Sequence, residues 1–207
     1  MHSMPDDRTL RAVIRDEALR LFAARGADAV SVRQIAAAAG VSPGLVVHHF
    51  GSKDGLRAAV DRHVLALFDG MLSDMTAGRP DFADPAASGS ATAAILAYLP
   101  PGSAVPAYLR RLLLDGSEAG REVFARMFEL SLQALETLAA AGLASTGQDP
   151  PVRAAFLLAN DLAVLLLRER LADVLGVDPL SGEGLARWAG EILPIYGAGL
   201  AQPAPGP

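Results

Sequence analysis

Apolar residues recur along this chain at spacings of three and four, the period of a helix that buries one face. Leu10, Val13, Ile14, Ala18, Leu21 and Phe22 form the first such stripe and predict a helix over residues 6–25, closed by Gly26. Val32, Ile35, Ala36 and Ala39 share a second, shorter face. Leu56, Val60, Val64, Leu67, Phe68, Met71, Leu72 and Met75 mark a long helix over 53–76. It carries more apolar positions than one stripe needs, so it is expected to serve two cores in succession. Pro80 and Pro85 make 78–89 a loop and the expected domain boundary region. Further helices are predicted over 90–99, 105–114, 117–141, 152–175 and 182–200, separated by Pro- and Gly-rich breaks. No stretch alternates as a strand would. The pattern predicts an all-α protein of about nine helices: a head over 1–54, a helical body over 55–200 and a disordered tail over 201–207.

The densest local punctuation lies between Ser31 and Lys53. Ser31 and Gln34 have the spacing of a capping box, in which each side chain satisfies the other residue's backbone N–H. Gly40 ends this helix at a position that favours positive φ. Ser42 caps the next helix, and Pro43 follows at the first helical position, where a missing N–H costs nothing. That second helix is short and ends by Gly51, and Ser52 caps the long third one. Two helices joined by a tight glycine turn match the helix-turn-helix unit, whose second helix enters the DNA major groove.

Charge adds modest support. The net charge of −5 does not suggest nucleic acid, but residues 1–60 hold eight basic and six acidic groups while the remainder is acidic. A mildly basic head on an acidic body suits docking of one end on phosphates. There is no cysteine, which excludes disulfides and thiolate metal sites. No apolar run approaches the roughly 18 residues of a membrane span. The polar amino terminus lacks the apolar core of a signal peptide, so a cytoplasmic location is expected.

Three blocks, Val32-Arg33-Gln34-Ile35-Ala36, Ala39-Gly40-Val41-Ser42 and His48-His49-Phe50-Gly51-Ser52-Lys53, resemble the TetR family of bacterial transcriptional regulators. The specific likeness covers roughly the first third of the chain. Beyond it the chain is similar to the family in all-helical layout and length. The resemblance implies a DNA-binding regulator, more often a repressor, that binds a palindromic operator as a homodimer and is released by a small-molecule inducer. It places residues 43–49 in the major groove. The candidate DNA contacts are Ser31, Arg33, Ser42, Pro43, Gly44, Leu45, Val47, His48, His49 and Lys53. Arg33 suits a guanine or a phosphate, and Lys53, at a helix amino terminus, suits a phosphate. Most relatives carry Thr and Tyr where this chain has Leu45 and Val47, so the usual hydroxyl contacts are absent. These two residues can instead meet thymine C5-methyl groups, the one apolar feature of a major-groove base edge, or pack against a neighbouring helix.

The resemblance also implies that the last two long helices of each chain form a four-helix dimer contact. Ala155, Leu158, Ala159, Leu162, Leu166 and Leu171 offer one apolar surface, and Leu185, Trp188, Ile192, Leu193 and Ile195 the other. The same positions suit an intrachain core. Phe68, Met71, Met75, Tyr98, Tyr108, Leu112, Phe124, Met127 and Phe128 are candidates for lining a ligand cavity. Asn160 and Asp161 interrupt an apolar helix, and if buried they need a partner such as Arg110, Arg111 or Arg168, or a ligand. Two readings of other kinds stay open. An enzyme would need a nucleophile–base pair, a metal cluster or a phosphate loop, and none is visible. The adjacent His48 and His49 point about 100° apart on a helix and do not form a metal site. No cofactor is expected. The other reading is a helical protein-interaction module that has lost specific DNA binding.

Overall fold

The computed structural model describes residues 7–77, 95–100 and 102–200. The described residues are all-helical, with no strand. The elements are α1 (Asp7–Arg25), α2 (Val32–Ala38), α3 (Pro43–Phe50), α4 (Lys53–Ala77), α5 (Val105–Leu114), α6 (Glu118–Ala140), α7 (Pro150–Leu166), α8 (Arg168–Leu175) and α9 (Gly182–Leu200). A helical turn also spans 95–98. Most of the helix expected over 90–99, and the tail over 201–207, lie outside the described residues, as do the side chains of Met75 and Leu193.

The chain divides into two compact units. The first joins residues up to Ala66 with Ala104–Gly120, and the second joins Leu67–Ser103 with the residues from Arg121 onward. As a unit of packing, the head therefore runs past residue 54 and takes in α5 from far along the chain. Its core is the predicted α1 stripe, Ile14, Ala18, Leu21 and Phe22, with Val30, Ile35, Val46, Leu56, Val60 and Val64. α5 joins this core through Val105, Tyr108, Leu109 and Leu112, an i, i+3, i+4, i+7 set packed on α1. Polar groups fix its position. Arg111 donates from Nε to the Ala23 carbonyl at 3.3 Å and from Nη2 to the Ala24 carbonyl at 3.2 Å. These carbonyls lie in the last turn of α1, which has no intrahelical donors for them. The Tyr108 hydroxyl donates to Asp61 Oδ1 of α4 at 2.6 Å. Burial, reinforced by this bond, raises the Tyr108 pKa far above its ordinary value. Tyr108 and Leu112, expected to line a ligand cavity, are thus core residues of the head.

In the second unit, Leu135, Ala144 and Ala154 form one cluster, with Phe128, Leu132, Leu138 and Leu157 packed around it. Val164, Leu180 and Leu185 form another, joined by Ile95, Leu96, Leu165, Leu171 and Trp188. The single helix expected over 152–175 is in fact two. α7 stops at Leu166, α8 starts at Arg168, and the pair bends by 73°. No Gly or Pro stands at the break. At the break Arg168, the first residue of α8, forks onto both Asp178 carboxylate oxygens, with Nε–Oδ1 at 2.8 Å, and Leu171 packs on the Val164–Leu180–Leu185 cluster. The guanidinium holds the Asp178 carboxyl below the usual carboxylate range. No single helix among the described residues is long and apolar enough to cross a membrane.

Candidate nucleic-acid interface

The helix-turn-helix is assembled by local hydrogen bonds that its sequence specifies. Gln34 N donates to Ser31 Oγ at 3.3 Å while Ser31 N donates to Gln34 Oε1 at 2.8 Å, completing the capping box of α2. At its far end Gly40 takes φ +68° and Val41 N donates to the Ala36 carbonyl at 2.9 Å, a Schellman closure. One residue on, Ser42 Oγ accepts from Leu45 N at 3.3 Å and Pro43 opens α3. Val46, 1% exposed, anchors α3 to the core below, and α2 packs against α3. Ser52 Oγ then accepts from Gly55 N at 3.0 Å and starts α4.

With Val46 pointing inward, the opposite side of α3 is open. Ser31, Arg33, Ser42, Pro43, Gly44, Val47 and His48 are all exposed, and Leu45, His49 and Lys53 are half-buried. Val47 stays 47% exposed in spite of its apolar side chain, so it does not pack against a neighbouring helix. The His48 and His49 rings meet edge to face at 5.6 Å. Lys53 Nζ donates to the Asp28 carbonyl at 3.3 Å, which ties the start of α4 to the loop before α2. Arg11 of α1 sits over the Phe50 ring at 5.2 Å, a cation–π contact at the end of α3. Among the described residues no group of His, Asp and Glu is placed to hold a metal ion.

The second unit carries a cleft of about 560 Å³ between α7 and α9, lined by residues that include Val152, Phe156, Asn160, Asp161, Trp188, Ile192 and Ile195. Of the residues expected to line a ligand cavity whose side chains are described, only Asn160 and Asp161 reach it. Both are exposed, so neither is the buried polar group the sequence suggested. Asn160 Nδ2 donates to the Phe156 carbonyl one turn back at 2.8 Å, and Arg111 and Arg168 are engaged elsewhere. Phe68, Met71 and Phe128 are half-buried, Met127 is buried and Phe124 is exposed. Tyr98 donates to Asp74 Oδ2 at 2.7 Å and lies so close to Gly70 that an added Cβ would stand 2.8 Å from its ring.

Three expected dimer residues are corrected. Leu158, Leu162 and Leu185 are buried within their own chain and offer nothing to a partner. Ala155, Leu166, Trp188 and Ile192 remain partly accessible. Among the described side chains of these helices, the large apolar ones that face outward are Val152, Phe156 and Ile195, at 62%, 62% and 63% exposed. Val152 and Phe156 are hidden in the sequence because an almost wholly apolar helix shows no phase. The signal that finds them is Asn160, the polar residue on the 152–156–160 stripe, which marks the open side.

Residues 14–60 match the profile of bacterial regulatory proteins of the tetR family, and residues 103–201 that of the tetracyclin repressor-like C-terminal domain. The chain is 36% identical over 151 residues to the HTH-type transcriptional regulatory protein RaaS of Mycobacterium tuberculosis, an alignment that covers 73% of this chain and 67% of RaaS. The chain belongs to the TetR family. Solved TetR-family structures share its fold. A regulator from Mesorhizobium loti superposes with a TM-score of 0.65 at 21% identity, covering 96% of this chain and 100% of that one. AibR, solved with isovaleryl coenzyme A and operator DNA, gives 0.58 at 21% identity, covering 88% of this chain and 97% of that one. This TetR-family chain is therefore a transcriptional regulator with an N-terminal helix-turn-helix and a C-terminal helical domain, and it is not an enzyme.

Proposed function

We propose that this regulator is a homodimeric repressor that reads a palindromic operator with α3 and releases it when a small molecule occupies the helical body. The reading surface lies within residues 1–54, and the dimer and effector surfaces lie within 55–200. The observation that carries the proposal is the unpartnered apolar face formed by Val152, Phe156, Ile192 and Ile195 on α7 and α9. Large apolar groups left in water on two neighbouring helices call for a partner. A second copy presenting the same face closes a four-helix contact with two-fold symmetry. Two-fold symmetry in the protein asks for two-fold symmetry in its DNA, with half-sites about one helical turn apart.

For the effector, the body offers Phe68, Met71, Tyr98, Phe124 and Phe128, partly accessible aromatic and thioether groups suited to an apolar molecule. AibR, of the same fold, holds both an acyl coenzyme A and operator DNA, which supports a fold able to serve two ligands. The regulator acts in the cytoplasm, where its DNA is. Selection of bound sequences from random duplex DNA tests the proposal, repeated with Phe156→Arg. The wild type should sediment as a dimer and enrich a palindrome. Phe156→Arg should sediment as a monomer and lose at least tenfold in operator affinity. A wild-type monomer, or an enriched site without symmetry, would refute it.

A further inference from the structure

We infer that Val47 is a specificity-determining residue that reads the C5-methyl group of a thymine in each half-site; the inference rests on the operator reading proposed above. The outward residues of α3 are Pro43, Gly44, Leu45, Val47 and His48. None carries the guanidinium, amide or carboxylate that reads a base pair by paired hydrogen bonds in the major groove. Hydrogen bonding from α3 is left to its two imidazoles. An apolar readout remains. The one apolar feature on a major-groove base edge is the thymine methyl.

Val47 is the side chain placed to use it. It is 47% exposed, about 100° around α3 from buried Val46, whereas Leu45 is more covered. Its β-branch leaves essentially one χ1 rotamer in a helix, so its two methyl groups are held in place before binding. Gly44, without a side chain, leaves room beside it for the helix to approach the base edges.

The experiment takes the selected operator and replaces each thymine in turn by deoxyuridine, which removes the methyl and keeps every hydrogen-bonding group. Wild type and Val47→Ala are titrated against each duplex, with Val47→Thr as a nearly isosteric control that keeps one methyl. One thymine per half-site should respond, with affinity falling about fourfold for each uracil, the worth of one buried methyl group. In Val47→Ala the same uracil should cost less than twofold, and Val47→Thr should lie between. A bound operator with no uracil-sensitive position, or an equal uracil penalty in wild type and Val47→Ala, would overturn the inference and leave operator binding intact. Failure to enrich any duplex would overturn both.

Discussion

Gly40 shows how much one backbone position decides. Its φ of +68° lets α2 close on itself and hands the chain to Ser42 within two residues. A side chain there brings no clash, since nothing lies within 4 Å of an added Cβ, so the cost of Gly40→Ala is purely the left-handed conformation, about 1–2 kcal/mol. Chemical denaturation should show that loss with an unchanged m-value. An unchanged midpoint would mean the turn has another conformation to fall back on. Signals of this kind were legible in the sequence. Ser31, Gln34, Gly40, Ser42 and Pro43 act on neighbours three or four residues away, and such short-range bonds follow from residue type and spacing. Lys53 was only half legible. Its place at the start of α4 is local, whereas its bond to the Asp28 carbonyl spans 25 residues of chain.

At the scale of elements, the helices themselves were readable and their partners were not. The α5 stripe is plain in the sequence, yet nothing local says that it packs on α1, 87 residues earlier by the Arg111–Ala24 bond. The α7–α8 break is hidden for a similar reason, because no Gly or Pro announces it and the Arg168–Asp178 ion pair beside it joins residues ten apart. On α7 the uniform apolar composition masks which residues face out: Leu158 and Leu162 read as surface in the sequence and are buried, whereas Val152 and Phe156 are exposed. The α5 assignment has a direct check in Tyr108→Phe. Removing the hydroxyl deprives the Asp61 carboxylate of a short hydrogen bond in a buried setting, which should cost roughly 1.5–3 kcal/mol and lower the melting temperature by several degrees. A Tyr108 lining a ligand cavity would instead leave stability nearly unchanged and alter effector response.

For the molecule as a whole, α4 is a shared element: one helix from Lys53 to Ala77 that belongs to the first unit through Ala66 and to the second from Leu67. Its surplus of apolar positions announced that double membership in the sequence. The charge division also belongs to this scale. An acidic chain that binds DNA must do so through its head, and operator affinity should fall about a thousandfold or more between roughly 50 and 200 mM salt if six or more phosphates are contacted. An affinity indifferent to salt would favour the protein-interaction reading, in which apolar Leu45 and Val47 meet a protein surface.

The detour of α5 into the first unit has a consequence for how such regulators exchange parts. A segment cut from the amino terminus up to Ala66 would leave behind the residues that cap the last turn of α1 and engage Asp61. A single splice that grafts this head onto another body therefore transfers an incomplete fold. A graft that works has to import α5 as well, through two further junctions in the recipient chain. In this chain a swap of the head therefore disturbs α1 and α4, whereas a point substitution on the exposed side of α3 leaves that packing intact.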